Sequence, residues 1–389
     1  MSHNSSILFM NRVYPPVRGA TGRLLSDLAA QYARDGWDVT VICSGSKAGM
    51  EHKDGVSIVR VKGKENPSSF LSYIFIWVRM LFQGLRLKPH DILVTLSDPP
   101  MIIVAGSLIA KLKKSRHVNW CHDLYPDIIP ALGIKMPKFL LKNLRLIRIK
   151  AMKSCDKIIV CGRCMMKHIT REGINAQKIK VVANWCNSEL VSSNKKPNNS
   201  KKFRVLYAGN IGLAHPIDVV LDAAKILEER GSDIDFVFVG NGERFDYIAN
   251  RRAQMCLDNV HLLPYQPLSS LCEVLESGDI HLSIMNEAAL GLMVPSKTYS
   301  AFAVARPCIF IGPKNCEAAK IINDFGAGLI VDQGDVESLV NAVLYFRQSD
   351  DAWFDAHNGS LSAQVEFAPK ICIAEWMDHV GGVRGNNES

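Results

Sequence analysis

Short apolar runs of strand length alternate with stretches of helical periodicity along almost the whole chain, and the alternation breaks once. Ile7–Met10, Val39–Cys43, Ile92–Leu96, Val118–Cys121, Ile158–Cys161 and Ile179–Val182 read as buried strands. Between them lie segments such as Arg23–Arg34, whose apolar positions recur with helical period. Parallel strands covered on both faces read as continuous apolar runs, and each needs a crossover helix to reach its neighbour. The predicted class is therefore α/β, with doubly wound parallel sheets.

The break is SSNKKPNNSKK, Ser192–Lys202, which can bury nothing and reads as a linker. The alternation then restarts. Phe203–Ala208 is a strand ending in Gly209, Pro216–Arg230 a helix with proline at its start, and Phe236–Val239 a strand ending in Gly240-Asn241-Gly242. Further strands are expected at Val260–Leu263, Ile280–Met285, Cys308–Ile311 and Gly328–Val331. With 389 residues the chain can fill two such domains. The expected division is a domain over 1–191, a linker over 192–202 and a second domain over 203–364. A last segment, 365–389, carries a helix over Val365–Val380 that packs back towards the first domain. Ligands of these sheets sit beyond the carboxyl ends of the strands, so two sheets face to face would enclose a cleft.

Charge is unevenly spread. Lys111–Lys153 holds eleven Lys and Arg against two Asp, within a net formal charge of +8, which suggests an anionic surface or ligand. Its neighbour Phe70–Phe82, FLSYIFIWVRMLF, is apolar nearly all round, yet it falls short of the ~18 apolar residues that would span a bilayer. Two readings stand: a helix buried between the domains, or one lying in a membrane interface over 70–88 beside the basic stretch 137–153. The eleven cysteines are scattered, and the polar start Met1–Ser6 predicts no secretory leader, so a reducing cytoplasm fits.

Several post-strand loops carry candidate chemistry. YPPVRGATGRLL puts Gly19, Ala20, Thr21, Gly22 and Arg23 at a helix start, where free N–H groups favour an anion or a hydroxyl-rich ligand. A plain strand-to-helix turn is the alternative. NWCHDLYPD places His122 and Asp123 just after a strand, where the imidazole and carboxylate could orient an acceptor hydroxyl; a structural histidine is the alternative. CGRC, Cys161–Cys164, has metal or redox spacing but no second pair at finger-like spacing, and DID, Asp233–Asp235, sits at a strand entrance, so neither predicts a metal site. YAGNIGLAHP (Gly209, Asn210, Gly212, His215), VGNGERF (Gly240, Asn241, Gly242, Glu243) and LLPYQP (Pro264, Tyr265) predict a backbone-rich pocket suited to a nucleoside diphosphate. In GLMVPSKTYSAFAVARP, Lys297 stands at a helix start beside Ser296 and Thr298; a solvated surface lysine is the alternative.

Taken together, YPPVRGATGRLLSDLAAQYARDGWDVTVIC, SDPP, HDLYPD, Asn184-Trp185, YAGNIGLAHPIDVVLDAA, VGNGE and VPSKTYSAFAVARP resemble the family-four retaining glycosyltransferases, nearest to the WbuB-like branch of O-antigen and colanic acid clusters. The resemblance implies the GT-B fold, with the acceptor on the N-terminal domain and a nucleotide sugar, a UDP-sugar in the first place, on the C-terminal one. It implies retention without a metal and without a resident cofactor, and a polyprenyl-diphosphate-linked or glycan acceptor at the cytoplasmic membrane face; no nucleic-acid partner is expected. Many members carry Arg and Lys in the first C-terminal loop, where Asn210 and His215 stand here. They also carry two glutamates eight positions apart, which fall on Leu292 and Ser300 here. Glu287 could stand in for the first only if the loop is reshaped. The resemblance thus leaves Lys297, aided by His215, as the cation for the diphosphate, with Glu287, Leu292, Met293 and Val294 facing the donor sugar and His122 and Asp123 approaching from the other domain. Two alternatives remain: a same-fold UDP-sugar 2-epimerase, and a catalytically silent homologue that binds a nucleotide sugar.

Overall fold

The computed structural model describes residues 5–381 apart from 18, 66, 68, 188–189, 191–201, 213–214 and 243. The expected linker, save Lys202, and Glu243 therefore lie outside the described residues.

The N-terminal sheet contains β1 (Ser6–Met10), β2 (Asp38–Gly45), β3 (Gly49–Lys53), β4 (Val56–Lys62), β5 (Ile92–Thr95), β6 (Arg116–Cys121), β7 (Lys157–Val160) and β8 (Ile179–Val181). Their order is β3-β4-β2-β1-β5-β6-β7-β8. The sheet is not parallel throughout, as the sequence predicted: β3 pairs antiparallel with β4. β3 is exposed along its whole length and Met50 is its one apolar side chain, so it gives no apolar run to read. Its turn has Asp54 and Gly55 at positive φ, 52° and 78°, as a two-residue hairpin requires, and neither β3 nor β4 was expected from the sequence.

This domain's helices are α1 (Ala20–Arg34), α2 (Phe70–Arg86), α3 (Ile102–Lys113), α4 (Ile128–Ala131), α5 (Lys138–Ser154) and α6 (Arg163–Arg171). The reading of α2 as an interdomain helix is overturned. Ile76, Met80 and Gly84 are its buried residues, and they pack with β2, β4 and α3 within the N-terminal domain. No helix among the described residues is long and apolar enough to cross a membrane.

The C-terminal sheet is parallel throughout, with β9 (Phe203–Asn210), β10 (Ile234–Asn241), β11 (Val260–Pro264), β12 (Ile280–Ile284), β13 (Cys308–Ile311) and β14 (Gly328–Val331) in the order β11-β10-β9-β12-β13-β14. Its helices are α7 (Asp218–Glu229), α8 (Phe245–Met255), α9 (Leu271–Glu276), α10 (Lys297–Ala303), α11 (Glu317–Phe325), α12 (Val336–Gln348), α13 (Asp350–Glu366) and α14 (Pro369–Val380). The expected single helix over Val365–Val380 is two: Ala368 is extended and Pro369 starts α14, since a residue before proline is held out of helical geometry.

One core joins the domains. Trp376 of α14 sits 5.4 Å from Trp120 of β6 and 6.0 Å from Tyr32 of α1, ring to ring. Trp185 stacks on Trp120 at 5.7 Å, and Leu292, Val294 and Tyr299 of the C-terminal domain belong to the same buried cluster. That shared core fixes where the carboxyl ends of the two sheets meet.

Candidate functional site

The strand order reverses between β9 and β12, and a doubly wound sheet opens a crevice at such a point. Lys297, at the start of α10 after β12, crosses it. Its Nζ donates to the Asn210 carbonyl at 3.2 Å and lies 4.9 Å from the centre of the Tyr207 ring. Gly209, at φ 130°, makes room: a Cβ there would stand 3.0 Å from Lys297 Cε. Tyr207 is buried, and its hydroxyl also donates to the Asn210 carbonyl, at 3.1 Å. Desolvation lowers the Lys297 ammonium to about 8, so it stays cationic at neutral pH.

His215 faces the same place, its Nδ1 3.1 Å from the Gly212 carbonyl and its ring edge-on to Tyr207. Burial first, then the charge of Lys297, lowers it to about 4. The expected aid from His215 is therefore corrected: in the free protein it is neutral, its one N–H is spent on the Gly212 carbonyl, and Nε2 is left an acceptor. Sequence reasoning passed over a second cation in the same loops. Arg244 donates to the His215 carbonyl at 2.9 Å and lies over the Tyr247 ring at 4.9 Å. Its place in the quoted VGNGERF loop was the available signal.

The glycine loops are built differently from the sequence expectation. A Cβ on Gly240 would stand 2.2 Å from the Gly209 carbonyl oxygen, so this glycine serves the packing of the loops after β9 and β10 on each other rather than the approach of a ligand. Asn241 and Gly242 join that packing: the Asn241 carbonyl accepts from Ile211 at 2.9 Å, and its side chain accepts from the Gly242 N–H at 2.8 Å. Pro264 and Tyr265 are exposed at the carboxyl end of edge strand β11.

Across the cleft, the loop after β6 is held by buried polar groups. Ser97 Oγ, from the loop after β5, accepts the backbone N–H groups of His122 and Asp123 at 2.8 and 3.0 Å. Cys161 Sγ lies 3.2 Å from His122 Nδ1 and donates to the Cys121 carbonyl at 3.5 Å. A thiol that donates to a carbonyl receives the Nδ1 proton, which leaves His122 Nε2 an acceptor, buried and without a protein partner among the described residues. Burial holds His122 at about 3 and so neutral. Burial, with Asp98 adding repulsion, lifts the Asp123 carboxyl to about 6, while Asp98 pairs with Arg12 at 2.7 Å. Ser97, Asp98 and Arg12 were missed as site residues, with SDPP, a loop after a strand, their local signal, and Cys161 had been weighed only as part of CGRC.

The two loops meet directly. Leu124 N–H donates to the Leu292 carbonyl at 2.8 Å, joining the HDLYPD and GLMVPSK segments. This corrects the expectation for 290–294: Leu292 and Val294 are buried in the shared core and Met293 packs against it, so these side chains hold the domains together instead of forming a donor wall. Glu287 is exposed, on a 3-10 turn (Glu287–Ala289) that touches α4, with its backbone N–H bonded to Gln333 Oε1 at 2.9 Å. Ser296 precedes α10 without capping it, and Thr298 is buried with its hydroxyl 3.0 Å from Ser283 Oγ, so Thr298 anchors α10 to β12.

At the proposed acceptor loop, Gly19 and Ala20 are exposed and Thr21 half-buried. Gly22 lies against Val13, and Arg23 is bound to Asp27 at 3.1 Å and to the Trp185 carbonyl at 3.0 Å, which makes it a brace for the shared core. CGRC is a domain contact too: Arg163 Nε donates to Glu317 Oε1 of α11 at 2.8 Å, and both cysteines are buried thiols. Among the described residues, no three His, Cys, Asp or Glu side chains group as a metal site.

Residues 21–190 match the family described as Glycosyltransferase Family 4, and residues 190–352 match Glycosyl transferases group 1. The chain is a family-four type glycosyltransferase with the GT-B fold. Among curated proteins it is similar to the probable glycosyltransferase WbjE of Pseudomonas aeruginosa, 24% identical over 62% of each chain. It is also similar to the putative colanic acid biosynthesis glycosyl transferase WcaI of Escherichia coli, 26% identical over 66% of each. The chain thus spans a little under two thirds of the length of these relatives. Among solved structures, HepE of Anabaena in complex with UDP superposes with a TM-score of 0.72 at 12% identity, over 97% of this chain and 100% of that one. WaaG, a glycosyltransferase involved in lipopolysaccharide biosynthesis, gives 0.72 at 15% over the same shares. At such identity these two establish the fold alone.

Proposed function

We propose that this glycosyltransferase moves a hexosyl or N-acetylhexosaminyl group from a UDP-sugar to a lipid-linked or glycan acceptor, with retention, at the cytoplasmic membrane face during surface polysaccharide synthesis. The observation that carries the reading is Lys297, a desolvated cation laid across the switch point of a GT-B donor domain. In the reaction the acceptor oxygen bonds to the anomeric carbon while that carbon's bond to the diphosphate breaks, its electron pair leaving with UDP. The acceptor proton passes to a phosphate oxygen on the same face. Negative charge grows on the leaving diphosphate, and preorganised cations and N–H groups aimed at such charge are commonly the largest catalytic contribution. Lys297 and Arg244 supply cations, and no divalent ion is assigned to this step. His122 Nε2, an acceptor without a partner, suits a sugar hydroxyl.

Lys297→Ala should lower kcat/KM by about 100-fold, close to 3 kcal/mol, in a transfer assay with a UDP-sugar panel and a polyprenyl-diphosphate-linked acceptor. UDP affinity, by calorimetry, should weaken as pH rises through about 8, because Lys297 then loses its charge. Turnover should survive EDTA. An alanine variant with unchanged UDP affinity and turnover would sink the assignment. Epimerisation of the donor, or its binding without transfer, would replace it.

A further inference from the structure

Helices α2, α3 and α5 lie side by side on one face of the N-terminal sheet, α2 against α3 and α3 against α5. The outer side of such a layer is ordinarily polar. Here it shows Phe70, Phe75, Leu112 and Phe139 at 73, 62, 63 and 70% exposure. Single exposed apolar side chains are common, but large ones gathered on three neighbouring helices mark an interaction surface.

An open groove of about 740 Å3 runs between α3 and α5. Leu108 and Ile147 form apolar walls, and Lys111, Lys114, Arg116 and Lys150, all exposed, line it with positive charge. Two titratable groups lie at its base. Asp156, its one lining carboxylate, accepts the His117 backbone N–H at 2.7 Å, and burial keeps His117 neutral, at about 4. Four cations thus face one carboxylate already engaged. A cationic groove with apolar walls, set in an apolar helical face, is complementary to an amphiphile with an anionic head.

We propose that the α2–α3–α5 layer docks on a bilayer and that the α3–α5 groove takes the phosphate of an anionic phospholipid. The groove lies towards the amino end of β6, whereas His122 and Asp123 follow its carboxyl end, so it is separate from the transfer site. The inner side of α5 reaches that site's loop: Arg145 and Arg148 hold Asp127 at 2.5 and 2.8 Å. The proposal rests on the membrane setting given above for the acceptor, and on none of the transfer chemistry.

Co-sedimentation of the full chain with vesicles tests it. Vesicles one third phosphatidylglycerol should bind at least about tenfold more tightly than phosphatidylcholine alone, and the K111Q/K114Q/K150Q variant should lose about 100-fold, at roughly fivefold per lysine near an anionic surface. Its thermal unfolding and its transfer to a water-soluble acceptor analogue should match the wild type. Equal binding to neutral and anionic vesicles, or wild-type binding by the triple variant, overturns the headgroup groove. Calorimetric binding of inorganic phosphate that the triple variant loses, with vesicle binding unchanged by the same variant, would identify a soluble anion instead. No vesicle binding together with a dimer mass in light scattering would assign the face to a second copy of the chain. Failure of transfer with vesicle binding intact would defeat the proposed function and leave this one standing.

Discussion

The two halves of the site are built by opposite means. On the C-terminal side, the loops after β9 and β10 are backbone laid on backbone, with Gly240 against the Gly209 carbonyl and the Asn241 carbonyl bonded to Ile211. One lysine is drawn across them. On the N-terminal side, the loop after β6 is held by side chains: Ser97 beneath His122 and Asp123, Cys161 behind the imidazole, and Arg148, bonded to Glu172 as well, gripping Asp127. A backbone-built pocket cannot tolerate added atoms, whereas a side-chain-built one depends on the protonation of the groups that hold it.

That contrast can be broken in three places. Gly240→Ala should have the largest effect. The new Cβ has 2.2 Å to a carbonyl oxygen at a φ of 150°, and a clash with backbone at a left-handed position costs upwards of about 3 kcal/mol. Chemical denaturation should show that loss, together with abolished UDP binding; a stable variant that still binds UDP would show that these loops can part.

Acid should act on both domains, since burial also holds His215 and His281 at about 4, and the N-terminal share can be read from two histidines. His122 and His117 titrate at about 3 and 4 in the folded protein, below the ordinary 6.5. The unfolded chain therefore takes up protons that the folded one refuses, so their stabilising contribution is complete above 6.5 and is lost as pH falls towards 4. Each histidine contributes at most about 3 kcal/mol over that window. Unfolding free energies from pH 7 to 4 should fall steeply, and less steeply in His117→Asn.

The smallest effect has the opposite sign. Asp123 is raised to about 6, so its ionisation opposes folding as pH rises from the ordinary carboxylate value towards 6. Asp123→Asn should gain about 1 kcal/mol at pH 7, after allowance for partial exposure, while transfer activity falls. Lower stability in the variant would show that the carboxylate has a bonding role that outweighs its desolvation.

Much of the fold was legible because it rests on local periodicity. Most parallel strands announced themselves as apolar runs; β4, parallel to β2, was missed because Ser57 and Arg60 interrupt its valines and isoleucine, and β3 because an exposed edge has no apolar run. Lys297 was legible as the single cation of GLMVPSKTYSAFA, beside a missing Ser300-position glutamate. Leu292 and Val294 were misread for a physical reason: an apolar loop looks the same whether it walls a pocket or joins two cores. Glu243 lies outside the described residues, and Glu287 is exposed on the turn that touches α4.

Periodicity and composition by themselves determined two α/β domains, a polar break between them, glycine-rich loops after the strands and one well-placed lysine, since strands, helices and turns are chosen by neighbours in the chain. Tertiary structure alone decided which residues those loops meet. Cys161 reaches His122 across 39 positions and Lys297 reaches Asn210 across 87, and the Trp120–Trp185–Trp376 core binds both domains. Contacts between distant segments depend on how whole elements pack, and no local pattern records that packing.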